Sequence, residues 1–313
     1  MHLLPLSLSA LERVLPLTKA YAKQHNADLA IPNCQDSGVG NALVFTRLVE
    51  DWARVAGRPV NIITAPLCPS VGCVKGEDPF ALWLHNPYVG SILNAEKVDL
   101  EGFGVVDMER RSLIQVNHII ENICFAYGLR PRHLRPSLFL SKAEMRWALD
   151  QTGHLPRPLI CLHPGGTSSS GEGAPWHHTR WQALMKALEN EASFFQVGRP
   201  EFGDQDLGLL NPGRTLREAM ALIWAADVFI GFDSSPMSIA TAFEKPVIAL
   251  FDMTQKFQAE LRYGETHVPS VILRWAYPQN RNIALMDNDD GDAAMAYIID
   301  GVRSYLDQLT YRI

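Results

Sequence analysis

Cysteine is scarce in this chain of 313 residues: Cys34, Cys68, Cys73, Cys124 and Cys161. An odd number of scattered cysteines excludes a disulfide framework and reads as reduced thiols. Cys68 and Cys73 are the nearest pair, but no second pair or histidine set completes a zinc site, so no metal is expected. Positive charge is also short: 28 Lys and Arg against 34 Asp and Glu leave a net charge of -6 and a pI near 5.9. Without a basic stripe, nucleic acid is not an expected partner. No run of about 18 apolar residues occurs, so no membrane-spanning helix is expected. The opening MHLLPLSLSALERVL carries no basic residues before its apolar stretch, and Glu12 and Arg13 follow at once. A secretory leader is therefore not expected, and the reading is cytoplasmic. Short-period repeats and low-complexity segments are absent.

Apolar residues make up 47% of the chain and charged residues 20%, a globular balance. At ~150 residues per domain the length points to two domains. A chain this long buries roughly three quarters of its unfolded surface and needs no covalent staple.

Strand and helix signals alternate along the chain. Residues 8–25 have helical spacing broken by Pro16. The run Leu29-Ala30-Ile31 leads into the glycine-rich turn CQDSGVGN, and ALVFTRLVEDWARVAG reads as an amphipathic helix stopped by Gly57. PVNIITAP (59–66) reads as a buried strand, which completes a β-turn-α-β unit and predicts a parallel sheet. Residues 67–100 are rich in turn signals; GFGVV (102–106) is a further strand candidate, and 113–127 a helix stopped by Gly128. LRPRHLRPS (129–137), with three arginines and two prolines, reads as a solvated linker. The expected domains are 1–140, with 1–28 a helical extension, and 141–313, opened by a helix over 141–151. In the second domain, strands are expected at 158–164, 193–198, 227–232 and 246–251, and helices at 179–191, 215–226, from Pro236, and at 291–309.

In doubly wound sheets, ligands meet the loops at the carboxyl ends of the strands, where helix N-termini favour anions. Three loops fit. The first, Gln35-Asp36-Ser37-Gly38-Val39-Gly40-Asn41, lets a ligand approach the backbone and holds one carboxylate, Asp36. It does not match the dinucleotide fingerprint. The second, His163 to Gly171, is rich in hydroxyls and N–H groups but has no P-loop lysine. The third, Gly231 to Ser238, joins a strand to a helix with Pro in its first turn; Asp233 serves either as an N-cap or as part of an anion site with Ser234 and Ser235.

These loops carry a resemblance. HPGG…TRW, then VGRPE, then TLREAMALIWAADVFIGFDSSPMSIATAFEKPVIALFDMT (residues 158–254 overall) resemble the C-terminal half of family 9 glycosyltransferases, the lipopolysaccharide heptosyltransferase-like group. Residues 38–66 resemble the family's opening and NPYVGSI (86–92) another of its stretches. The resemblance implies a GT-B fold: an α/β protein of two Rossmann-like domains with parallel sheets facing across a cleft. The N-terminal domain would take the acceptor and the C-terminal one a nucleotide sugar, ADP-heptose foremost, as substrate. No cofactor and no metal are implied. The activity would be inverting transfer of a sugar to a hydroxyl of a bacterial glycan, glycolipid or similar acceptor, a protein acceptor remaining open, with at most peripheral contact at the inner face of the membrane.

By position, the resemblance assigns His163, Gly166, Thr167 and Ser168 to the diphosphate or transferred sugar, Glu201 to the ribose, and Arg214 to the flank of the base. It assigns Asp233, Ser234, Ser235, Met237 and Ser238 to the turn that faces the phosphates. Asn41 stands where the family has its catalytic Asp, and an amide takes up no proton at neutral pH. Asp36 or the donor diphosphate is then the alternative base. Ser238 replaces a family His and Thr179 a family Lys, with His177 or His178 nearby. A catalytically impaired nucleotide-sugar-binding or assembly protein is the second reading. An epimerase on the same scaffold would want further carboxylates, for which Asp36 and Glu172 are the candidates.

Overall fold

The computed structural model describes residues 18–31, 39–67, 77–95, 118–165, 176, 178–199, 204–252, 271–285 and 291–310. The chain divides into two compact units. Unit 1 is Met1–Phe139 with Leu261–Trp275, and unit 2 is Leu140–Glu260 with Ala276–Ile313.

Unit 1 holds a parallel sheet in the order β1-β2-β3, formed by β1 (Leu29–Ile31), β2 (Val60–Thr64) and β3 (Val89–Asn94). β1 and β2 are joined through α1 (Val39–Ala56), the helix expected from the ALVFTRLVEDWARVAG pattern. Leu43, Val44, Leu48 and Val49 of α1 are fully buried. Gly57 ends the helix at φ +69, a conformation that costs glycine little. The strand β3 was hidden among the turn signals of 67–100. Its residues alternate unevenly and stay largely exposed, so no buried apolar run announced it. The candidate strand 102–106 lies outside the described residues.

In the arginine- and proline-rich segment 129–137, Arg130, Arg132 and His133 are exposed, as a solvated linker requires, but the backbone is anchored. Its backbone is seated on the polar side of α1. Arg132 N–H donates to Asp51 Oδ2 (3.2 Å), Ser137 N–H to Thr46 Oγ1 (2.8 Å) and Ser137 Oγ to Glu50 Oε2 (2.6 Å). Arg47, 3% exposed, donates through Nε to the Arg135 carbonyl (2.9 Å) and pairs with Glu50 (2.9 Å). Proline and charge mark a segment without periodicity, but they do not decide whether it is solvated. Here Asp51 and Thr46 of a neighbouring helix accept from its backbone N–H groups.

Unit 2 is a five-stranded parallel sheet in the order β5-β4-β6-β7-β8. The strands are β4 (Leu159–His163), β5 (Ser193–Gln196), β6 (Val228–Phe232), β7 (Val247–Asp252) and β8 (Arg281–Leu285). Both faces of the central strands are buried. Ile160, Leu162, Val228, Ile230, Ile248 and Leu250 pack with Trp181, Leu184, Ile298 and Val302, while Cys161, Phe229, Ala249 and Phe251 are covered on the other side. The helices are α3 (Lys142–Thr152), α4 (His178–Ala187), α5 (Leu216–Ala225), α6 (Ser235–Ala242) and α8 (Gly291–Thr310). A short helix α7 (Val271–Trp275) belongs to unit 1.

Two of the helices start with capping boxes. Ser141 and Glu144 satisfy each other's backbone at α3, and Thr215 and Glu218 do so at α5. Glu144 does a second job: both its oxygens accept from Arg217 of α5, at 2.6 and 2.8 Å. The bidentate pair locks the α3 start to α5.

Candidate functional site

The order of the unit 2 sheet turns around at β4. The chain passes from β4 to β5 on one side and then returns to place β6 on the other. Beyond the carboxyl ends of such a pair the loops diverge and leave room for a ligand. The residues at this point are His163, the last of β4, and Gly231 to Ser234, the end of β6 and the turn into α6.

Three side chains meet there. His163 Nδ1 lies 3.1 Å from Ser234 Oγ, and His163 Nε2 lies 3.0 Å from Asp204 Oδ1. The side chains of His163 and Asp204 are 4% and 5% exposed. The other oxygen of Asp204 accepts the backbone N–H of Arg199 at 2.5 Å. Two glycines make this approach possible. A Cβ on Gly231 would sit 2.8 Å from His163 Cβ, and one on Gly198 would sit 2.5 Å from Asp204 Oδ2. Gly198 also adopts φ +106, which favours glycine independently of space.

Ser234 is the N-cap residue of α6, yet its side chain makes no capping bond. Its hydroxyl is turned to His163 and to the Phe232 carbonyl (3.0 Å) instead. The cap role weighed for Asp233 therefore falls to its neighbour's position. Asp233 is half-buried, and its backbone N–H continues the sheet by donating to the Leu250 carbonyl (2.9 Å).

The remaining expected residues are distributed as follows. Ser235 opens α6 and is half-buried. Met237 is fully buried, and Ser238 is 3% exposed with its Oγ accepting from Tyr277 Oη at 3.0 Å. Burial pushes the Tyr277 hydroxyl pKa up, so it stays a proton donor. Arg214 is exposed; its carbonyl accepts from Arg199 Nη1 at 2.6 Å. Asn41, in unit 1, sits in the first turn of α1 and is half-buried. Asp36, Gly166, Thr167, Ser168 and Glu201, as well as His177, lie outside the described residues. His178 and Thr179 open α4. The member of this cluster that the sequence does not point to is Asp204. A positive-φ glycine followed six residues later by an acid was the only trace of it, and such spacing is ordinary in loops.

Among the described residues, no group of three or more His, Cys, Asp or Glu is placed to hold a metal ion. No helix among them is long and apolar enough to cross a membrane.

Residues 108–261 match the family described as glycosyltransferase family 9 (heptosyltransferase), a stretch that contains β4, β6 and the turn into α6. This part of the chain is similar to glycosyltransferase family 9. The structure of a family 9 glycosyl transferase from Veillonella parvula DSM 2008 is similar, with a TM-score of 0.60 at 11% identity over 89% of this chain and 96% of that one. The E. coli ADP-heptose lps heptosyltransferase II is similar with a TM-score of 0.57 at 16% identity, over 90% of this chain and 98% of that one. At these identities the likeness is one of fold. The expectation of an α/β chain with two parallel sheets is met, and the fold is that of the E. coli heptosyltransferase II structure. No curated protein sequence matches this one.

Proposed function

We propose that this chain is a family 9 glycosyltransferase that moves a heptose from ADP-heptose, with inversion at the anomeric carbon, to a hydroxyl of a bacterial glycan or related acceptor. The observation that carries the reading is the meeting of His163 and Ser234 where the unit 2 sheet order turns around, beside the first turn of α6. Strand ends of this kind, followed by a helix N-terminus, favour an anionic group such as a diphosphate. The similar E. coli structure is of an ADP-heptose enzyme, which supports the choice of donor.

In this reading, unit 2 takes the donor and unit 1 the acceptor. Asp36 of the first glycine-rich loop accepts the proton of the acceptor hydroxyl. The oxygen then bonds to the anomeric carbon as the bond to the nucleoside diphosphate breaks. Asn41, an amide in the first turn of α1, orients that hydroxyl without taking its proton. Stabilising the leaving diphosphate needs no cofactor, because backbone N–H groups and the helix terminus supply the positive end of a dipole.

Titration with ADP-, UDP- and GDP-sugars tests the donor. A ligand at 100 times its Kd adds about 2.7 kcal/mol to stability, readable as a thermal shift. ADP-heptose is expected to stabilise the chain most, and transfer to glycan extracts is expected to fall at least 100-fold in Asp36→Ala. No shift with any nucleotide sugar overturns the reading. Asn41, in the place of the family carboxylate, favours a second reading, a nucleotide-sugar-binding protein without turnover. Tight donor binding with neither transfer nor donor hydrolysis decides for it.

A further inference from the structure

Arg281 is the first residue of β8, and its side chain lies along α8. Its Cζ is 3.9 Å from the centre of the Tyr297 ring, so the guanidinium is stacked on the aromatic face. One helical turn on, Gly301 makes room for it. A Cβ there would stand 2.8 Å from Arg281 Cδ, 2.9 Å from Nε and 3.0 Å from Cζ. Gly301 sits inside a helix of 20 residues, where glycine is less stable than alanine. The arginine, not the helix, accounts for a glycine at this position. A further turn on, Tyr305 is close enough that the Arg281 charge opposes the rise that burial gives its hydroxyl pKa. Tyr297, Gly301 and Tyr305 are spaced four apart and share one face of α8.

An arginine seated in this way ordinarily has a carboxylate in its fork. Among the described residues Arg281 has none: it makes no ion pair, and its Nε is buried without a hydrogen-bond partner. Asp300, beside Gly301 in sequence, acts instead on Arg303, which pairs with Glu191 at 2.6 Å. The Arg281 guanidinium is thus half-buried, held in one orientation by a ring and a glycine, and uncompensated. A charge withdrawn from water without a partner is unfavourable until an anion meets it.

The arrangement also selects the shape of that anion. A carboxylate lies in the guanidinium plane and uses the fork alone. The Tyr297 hydroxyl lies in the plane of its own ring, a van der Waals thickness away from the guanidinium, and Tyr297 is 53% exposed. A tetrahedral oxyanion has oxygens outside any one plane. It can fill the fork and accept from the hydroxyl together, which a planar carboxylate cannot.

We propose that Arg281 and Tyr297 form a binding site for a phosphate group, free or carried as a monoester. The strands of unit 2 are parallel, so the start of β8 lies at the opposite edge of the sheet from the ends of β4 and β6. The site is therefore separate from the candidate donor site and does not depend on that reading.

The Nε–H resonance of Arg281, assigned by its loss in Arg281→Lys, reports on this site and not on the donor site. The wild type is titrated with inorganic phosphate, methyl phosphate and acetate at constant ionic strength. A saturable shift in the millimolar range is expected with phosphate, and acetate is expected to bind about fivefold more weakly. Methyl phosphate binding as tightly as phosphate assigns the site to monoesters, and binding of phosphate alone assigns it to the free ion. No saturable shift with either, or acetate as tight as phosphate, overturns the inference.

Two variants separate binding from packing. Tyr297→Phe removes only the hydroxyl and is expected to weaken phosphate about fivefold while leaving acetate unchanged. Unchanged phosphate affinity overturns the role of Tyr297. In Gly301→Ala the new methyl meets the end of a flexible side chain, and alanine favours the helix. Stability is expected to stay at the wild-type level while phosphate affinity falls about tenfold as the arginine is displaced. A folded Gly301→Ala protein with wild-type phosphate affinity overturns the inference. If that variant does not fold, the wild-type titration and Tyr297→Phe still decide.

Discussion

Tyr277 donates its hydroxyl to Ser238 Oγ across 3.0 Å, and both side chains are buried. Ser238 stands where the resemblance puts a histidine, so restoring the family residue is an obvious experiment. An imidazole needs several more heavy atoms than the 3%-exposed serine site holds, with the Tyr277 ring fully buried beside it. Ser238→His is expected to destabilise unit 2 by about 1–3 kcal/mol through overpacking. Tyr277→Phe, which leaves only the hydrogen bond unmade, is expected to cost about 1 kcal/mol. Urea unfolding of both variants checks the order; a Ser238→His protein as stable as wild type would show that the site has room.

Gly231 is required by space rather than by an unusual backbone angle. An added Cβ meets His163 Cβ at 2.8 Å and the Phe229 ring at 2.9 Å. Gly231→Ala is therefore expected to lose about 1–3 kcal/mol and to push His163 away from Ser234. Donor affinity should fall along with the melting temperature. A variant that keeps wild-type stability would show that β6 yields at this point.

His118 caps α2 (Ile119–Ala126) by accepting the Ile120 N–H on Nδ1 at 3.2 Å. Burial, with Arg274 nearby, lowers its pKa to about 4 from the ordinary 6.5. The folded chain thus resists protonation while the unfolded chain accepts it. Stability from this group is complete above about pH 6.5 and declines as pH falls toward 4, below which it changes no further. The loss is at most about 3 kcal/mol at 1.36 kcal/mol per pKa unit. His118→Asn keeps a capping oxygen and does not titrate, so its unfolding free energy should be flatter over that window. Parallel curves for the two proteins would rule the linkage out.

Glu144 responds in a lower window. Although burial opposes it, hydrogen bonds from Arg217 and Ser141 hold the Glu144 pKa at about 2, below the ordinary 4.5. Its contribution is complete above pH 4.5 and is lost as pH falls toward 2. Glu144→Gln cannot accept both arms of the Arg217 fork and is expected to cost about 2 kcal/mol at pH 7. The difference from wild type should shrink on acidification, measured by denaturant unfolding at pH 7 and pH 3; a difference that stays constant would refute it.

The alternation of strands and helices in unit 2 was legible because buried parallel strands such as PLICLHP and PVIALF are continuous apolar runs between turn residues. The Thr215 cap was legible for the same kind of local reason, a hydroxyl followed three residues later by Glu218. β3 and β8 escaped, since each carries polar residues on half its length and neither has the apolar run of a central strand. The anchoring of the 129–137 segment was not legible because its partners, Asp51, Thr46 and Glu50, lie some 85 positions earlier and only tertiary contact joins them. Asp204 was missed for a related reason. Its neighbour is His163, at the end of a strand that the sequence places 41 residues away.

The return of Leu261–Trp275 to unit 1 bears on any attempt to halve the gene. A fragment ending at Phe139 leaves behind Arg274, the cation that faces His118. The complementary fragment keeps a foreign excursion between β7 and β8 that has nothing to dock on. Neither half is a self-sufficient piece, and coexpressed fragments would have to break at both crossings, near Glu260 and Ala276, for each to recover its own full set of contacts.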